Sequence, residues 1–142
     1  MVVVIDDHLL LSLLGGTAPP SVTNEARSGT VYTTGCWYYR LARAVASSGA
    51  GSLSSRFGEL AQVEQAQVRQ QLDDLPAGIG ILGWRTVVPV MAALRVRQQL
   101  NLLNAEALAV ALLTSATVVI TTASPLLRAG AGDLGVDYRI EQ

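Results

Sequence analysis

The chain has 142 residues, half of them apolar, and a formal net charge of -1. That is enough apolar material for one core-forming domain over residues 1–142, and it excludes global disorder. All ten cations are arginines and Cys36 is the one cysteine, which excludes lysine Schiff bases, P-loop lysines, an internal disulfide and multi-cysteine metal sites, while the near-neutral charge argues against a strongly basic nucleic-acid binder.

The predicted elements run as follows. Val2-Val3-Val4-Ile5 is a continuous apolar run, the signature of a strand buried on both faces of a parallel sheet. Asp6 and Asp7 end it and break the apolar start, so it does not read as a signal peptide. His8 to Leu14 reads as a helix stopped by Gly15-Gly16. Residues 17–29, with Pro19-Pro20, read as a loop. Val31 to Thr34 is a short strand, and Cys36 to Ala46 a helix. Residues 47–55 are a Ser/Gly loop with no Gly-Lys pairing for a phosphate loop.

Leu60, Val63, Val68, Leu72 and Leu75 mark one face of a Gln-rich helix ending before Pro76, with Gln62 to Gln71 as its solvated face. Gly78 to Leu82 is a Gly-interrupted strand. Val87 to Leu100 is a helix with Pro89 in its first turn. Asn101 is the N-cap of a further helix to about Leu113. Thr117 to Thr122 is β-branched almost throughout and reads as a strand. The uncharged stretch from Ala107 to Leu127 is thereby divided into helix, turn and strand, and no membrane span is expected. A short helix from Pro125 to Ala131 and a strand from Val136 to Ile140 close the chain. Strands alternating with helices predict an α/β fold with a mostly parallel central sheet.

In such sheets, sites form beyond the carboxyl ends of the strands. The chain there presents Asp6, the helix bearing Arg40, Asn104 on the helix after Asn101, and Thr121 closing the late strand. Asp6 and Asp7 also suit a helix start, and that role explains them as well as a functional one does. Asn101 and Asn104 likewise fit a cap and a first-turn polar residue.

An apolar opening strand ending in Asp6, the helix pattern Leu100-Asn101-Leu102-Leu103-Asn104-Ala105 with Ala109, the strand end Ile120-Thr121-Thr122-Ala123, Leu126 and Gly135-Val136 together resemble the PIN-domain family, whose small members include VapC-type toxin ribonucleases. The resemblance covers both ends of the chain and is vaguest between about Gly49 and Gly83. It implies a three-layer α/β/α domain, and a site of clustered carboxylates holding Mg²⁺ or Mn²⁺ to activate water. Of the four acidic positions, only Asp6 keeps its carboxylate. The second falls on Arg40, the third on Asn104 and the fourth on Ala123. Asp6 is therefore the sole carried-over metal ligand, and Arg40 is expected beside it as a fixed counter-ion in place of the metal.

Glu106 lies two residues past Asn104 and points about 200° away, so it does not stand in for the missing acid. Asp7, Asp133 and Asp137 are the remaining candidates to compensate. No cofactor is expected unless the site is active, when it would take Mg²⁺ or Mn²⁺. The resulting expectation is a PIN-like domain with a degenerate metal site that binds RNA or an antitoxin-like protein partner and does not cut. The alternatives are an active Mg²⁺-dependent ribonuclease of toxin–antitoxin type and a degenerate receiver-like interaction domain. Val4-Ile5-Asp6-Asp7-His8 resembles the start of a receiver, but there is no lysine and no phosphoacceptor Asp at a strand end.

Cys36 reads as a buried structural thiol, and His8 has no evident catalytic partner. Trp37, Tyr38, Tyr39, Arg40 and Arg43 could stack on bases, or could fill a core or a dimer interface. High apolar content with few charges predicts a homo-oligomer through that aromatic helix or the Gln-rich helix. A single cysteine and no leader predict a cytoplasmic setting.

Overall fold

The structure is a computed structural model that describes residues 1–47, 49 and 51–141. Five short strands form one all-parallel sheet: β1 (Val3–Ile5), β2 (Val31–Thr33), β3 (Ile79–Ile81), β4 (Thr117–Ile120) and β5 (Tyr138–Ile140), in the order β3-β2-β1-β4-β5. β1 sits centrally between β2 and β4, and its three residues are wholly buried, as an unbroken apolar run requires. The order differs from the 2-1-3-4-5 of flavodoxin-like receivers, because β4 rather than β3 flanks β1.

Strand alternation sends neighbouring side chains to opposite faces, each with its own core. Val3 and Ile5 pack with leucines of α1 (Asp7–Gly15), Val22 of α2 (Pro20–Arg27), Leu41 of α3 (Gly35–Ala46), Leu53 and Phe57 of α4 (Ser52–Gly58), and Val68 and Leu72 of α5 (Gln62–Asp73). Val4, Val118 and Ile120 pack on the other face. Their partners are Val87, Met91 and Leu94 of α6 (Trp84–Arg97), the Ala/Leu run of α7 (Leu102–Thr114), and Leu127 of α8 (Pro125–Leu134). This is the three-layer α/β/α arrangement. No helix among the described residues is long and apolar enough to cross a membrane.

Local chemistry explains most of the boundaries. Asp6 caps α1, its carboxylate accepting from Leu9 N–H at 2.9 Å, and Gly16 ends that helix in the left-handed region. Thr34, Asn101 and Ser124 cap α3, α7 and α8 in the same way. All eight residues from Asn104 to Ala111 are buried, so the middle of α7 is enclosed on every side and, apart from Asn104 and Glu106, is apolar throughout. Gly80 in β3 lies against its cross-strand neighbour Tyr32, and a Cβ there would come within 2.6 Å of the ring. The glycine that interrupts the strand pattern is the one the tyrosine ring needs.

Four expectations are corrected. Residues 20–27 are helical rather than loop: Pro20 occupies the first helical position, where its missing N–H costs nothing. The expected loop 47–55 ends early, because α4 starts at Ser52; positions 48 and 50 lie outside the described residues. Val63 is 79% exposed and is not on the buried face of α5. It lies five residues before Val68, which at ~100° per residue places it well off that stripe. Finally, α6 begins at Trp84, so Pro89 sits inside the helix and not in its first turn. Its missing N–H leaves Arg85 C=O without a helical donor, on a surface where water can serve.

Candidate functional site

The strand order reverses between β1 and β4, since β1 leads outward to β2 and β3 while β4 leads the other way to β5. Connections diverge there and leave a crevice beyond the strand ends, the usual ligand position in open α/β sheets. A cleft of about 350 Å³ occupies it. Asp6, Asp7, Arg40, Asn104, Thr121 and Ala123 all contribute to its walls. The four positions expected to be acidic, Asp6, Arg40, Asn104 and Ala123, thus line one cleft together with Thr121, although they are spread across the chain.

Their interactions define what the cleft can do. Asp6 Oδ1 accepts from Leu9 N–H at 2.9 Å; Oδ2 accepts from both Thr121 N–H and Thr121 Oγ1–H at 2.8 Å. The carboxylate therefore joins the start of α1 to the end of β4. Arg40 does not lie against Asp6 as its counter-ion, as the sequence led us to expect: its Nε lies 3.4 Å from Asp7 Oδ2. The reason is geometric. Both Asp6 oxygens are turned toward backbone and Thr121, so the carboxylate left for the guanidinium is the next one along the helix.

Asp7 is buried, and its Oδ2 has no hydrogen-bond partner among the described residues. Burial pushes its carboxyl above the usual carboxylate range. The attraction of Arg40 opposes that shift, and the neighbouring Asp6 charge adds to it.

Glu106 faces the other way, as its helical angle predicts, and is wholly buried. Its Oε1 accepts Cys36 N–H at 2.8 Å, and its Oε2 accepts Trp84 Nε1–H at 2.6 Å. It neutralises the start of α3 and ties α3, α6 and α7 together, where the helix dipole favours an anion. Cys36 itself is half-buried and not enclosed as the sequence suggested; that partial burial, together with the nearby Glu106 carboxylate, pushes its thiol up to about 12. That makes it a poor nucleophile at neutral pH. Asp133 lines a separate groove beside α8. Asp137 serves β5 pairing through its carbonyl, which accepts Val118 N–H. Neither lines the cleft.

The donor set does not suit a hard divalent cation. Such an ion needs several anionic oxygens free to turn inward. Here Asp6 has both oxygens engaged, Asp7 faces a guanidinium, and the positions expected to be acidic carry Asn104 and Ala123. Among the described residues no group of three or more His, Cys, Asp or Glu could hold a metal.

Sequence reasoning missed His8. The structure gives it two partners: Arg56 Nη1 is 3.2 Å from its Nδ1, and Ser52 Oγ is 3.4 Å from its Nε2. These residues line a second cleft of about 400 Å³ that adjoins the first. Only the fold brings α4 over the start of α1, so no spacing in the chain could have signalled it. The aromatic cluster divides: Trp37 is buried, Tyr38 donates its hydroxyl to Leu72 C=O, and Tyr39 is exposed. The chain matches no family model and no curated protein.

Proposed function

We propose that this is a PIN-like domain that has lost its metal and binds RNA in the cleft between β1 and β4 without cutting it. The observation that carries this reading is the state of the carboxylates. Asp6 is spent on Leu9 and Thr121, and Asp7 faces the Arg40 guanidinium across 3.4 Å with one oxygen short of a hydrogen bond. Chemistry that depends on clustered free carboxylates has none to use. The cleft mouth instead gathers Arg40, Arg43, Arg56, His8 and Ser52 around adjoining hollows. Guanidinium forks and hydroxyls suit phosphate oxygens and need no metal. The same hollows hold Asp6, Asp7 and Glu141, so the arginines act here as individual donors and not as a net positive patch.

The test is calorimetric titration with Mg²⁺ and Mn²⁺ on the wild type and on Asp6→Ala, alongside binding and cleavage of single-stranded RNA. The expected result is no metal binding in either protein, no cleavage, and salt-dependent RNA binding weakened by Arg40→Gln. Millimolar or tighter metal binding that disappears in Asp6→Ala, with cleavage, would establish the active ribonuclease instead.

A second element of the reading is self-association. The outer face of α6 exposes Trp84, Val88, Pro89, Ala92, Ala93 and Val96. Self-association was expected through α3 or α5, but Trp37 of α3 is buried and the exposed face of α5 is mostly polar, so we assign the second copy of the chain to this apolar face of α6.

A further inference from the structure

We infer that His8, Ser52 and Arg56 form an anchor for a phosphate monoester, a specific subsite within the RNA-binding cleft proposed above and resting on that reading. A guanidinium can only donate, so the 3.2 Å approach of Arg56 Nη1 to His8 Nδ1 makes Nδ1 the acceptor. His8 is then the neutral tautomer with its proton on Nε2. That N–H is directed at Ser52 Oγ, 3.4 Å away. Ser52 Oγ therefore accepts from His8, and its own hydroxyl proton is left to point into the cleft.

This polarity excludes one function and favours another. A Ser–His nucleophile needs an unprotonated Nε2 to take the hydroxyl proton, with a carboxylate holding Nδ1–H. Here the donor and acceptor ends are reversed and the partner at Nδ1 is a cation. The chain of donors ends in a serine O–H, beside the remaining N–H groups of Arg56.

The surrounding wall completes a donor-rich hollow. Thr122 adds a hydroxyl. Thr121 and Thr17 also line it, but their hydroxyls are turned away, to Asp6 Oδ2 and Ser12 C=O. Among the described residues the one carboxylate on the lining is Glu141, which is paired with Arg139 at 3.4 Å. Donors thus approach from α4 and from the segment after β4, while His8 of α1 holds Ser52 and Arg56 in place. A terminal phosphoryl group carries three non-bridging oxygens and more charge than a phosphodiester, and it suits donors that converge from two sides. At about 400 Å³ the hollow admits a phosphoryl group with part of its sugar.

The experiment compares binding of inorganic phosphate, a nucleoside 5′-monophosphate, and one short single-stranded RNA with either a 5′-phosphate or a 5′-hydroxyl, all at one salt concentration. Arg56→Gln and Ser52→Ala are measured beside the wild type; both side chains are exposed, so the cores stay intact. The expected result is that the phosphorylated RNA binds about tenfold or more tightly than its hydroxyl form, and that both variants abolish the difference. Nitrogen NMR of the wild type should find the His8 proton on Nε2.

RNA binding without end discrimination would overturn the anchor and leave the RNA reading standing. Phosphate and mononucleotide binding that requires Arg56, without RNA binding, would retain the anchor as a small-molecule site and overturn the RNA reading. Binding of none of the probes, or a His8 proton on Nδ1, would overturn the anchor outright.

Discussion

Asp7 shows how one residue can be both predicted and misjudged. Its place at the start of α1 is what a sequence reader expects of an aspartate. Its partner and burial come from elsewhere in the fold, and they set its titration. Because burial raises its carboxyl pKa, the folded protein holds the Asp7 proton to higher pH than the unfolded chain does. The native state then binds more protons across that interval. The contribution of Asp7 to stability is greatest below the ordinary carboxylate pKa, and it falls as pH rises through the raised value. Asp7→Asn removes the titration, so the variant should lose less stability than wild type over that rise. Urea melts at a series of pH values check this; parallel pH profiles for the two proteins would contradict it. That Asp6, Arg40, Asn104 and Thr121 would lie at one end of the sheet was legible in the chain. Which carboxylate the arginine meets was not, because a one-residue step along a helix start turns the side chain through about 100°.

At the scale of elements, α7 carries the most information per residue. Its cap at Asn101, its Ala/Leu composition and its end near Thr114 could all be read from the chain. So could the separation of Asn104 and Glu106 onto different sides. What Glu106 touches could not, since α3 and α6 deliver its two N–H donors from distant segments. Each oxygen accepts one donor, so Glu106→Gln must set an amide NH₂ against an N–H. We expect a loss of about 1–3 kcal/mol in urea unfolding at unchanged m-value. An unchanged midpoint would mean the three-helix junction does not depend on that carboxylate. The elements misread were the short ones. α2 and α4 have eight and seven residues, too few for a clear periodic stripe, and contacts with the sheet and its neighbours sustain them.

At the scale of the whole molecule, the two cores cover both faces of the sheet, while the outer face of α6 stays apolar and bears Arg85, Arg95 and Arg97 with no acid on that helix. Under the self-association proposed above, light scattering should give a mass above the 14.9 kDa of one chain. Val88→Glu with Val96→Glu should return it to the monomer without unfolding it, because both side chains are already exposed. A monomeric wild type at high concentration would refute the assignment. The amino-acid sequence by itself determined the order of the five strands and of the six longer helices, the caps at Asp6 and Asn101, a mostly parallel α/β class and the gathering of Asp6, Arg40, Asn104 and Thr121 at the strand ends. Periodicity, β-branching and capping are local, and the carboxyl ends of parallel strands lie on one side by construction. Tertiary structure alone decided that β4 flanks β1, that Arg40 pairs with Asp7, and that His8 meets Ser52 and Arg56 across 44 and 48 residues. Those contacts depend on how whole layers stack, and no local spacing encodes them.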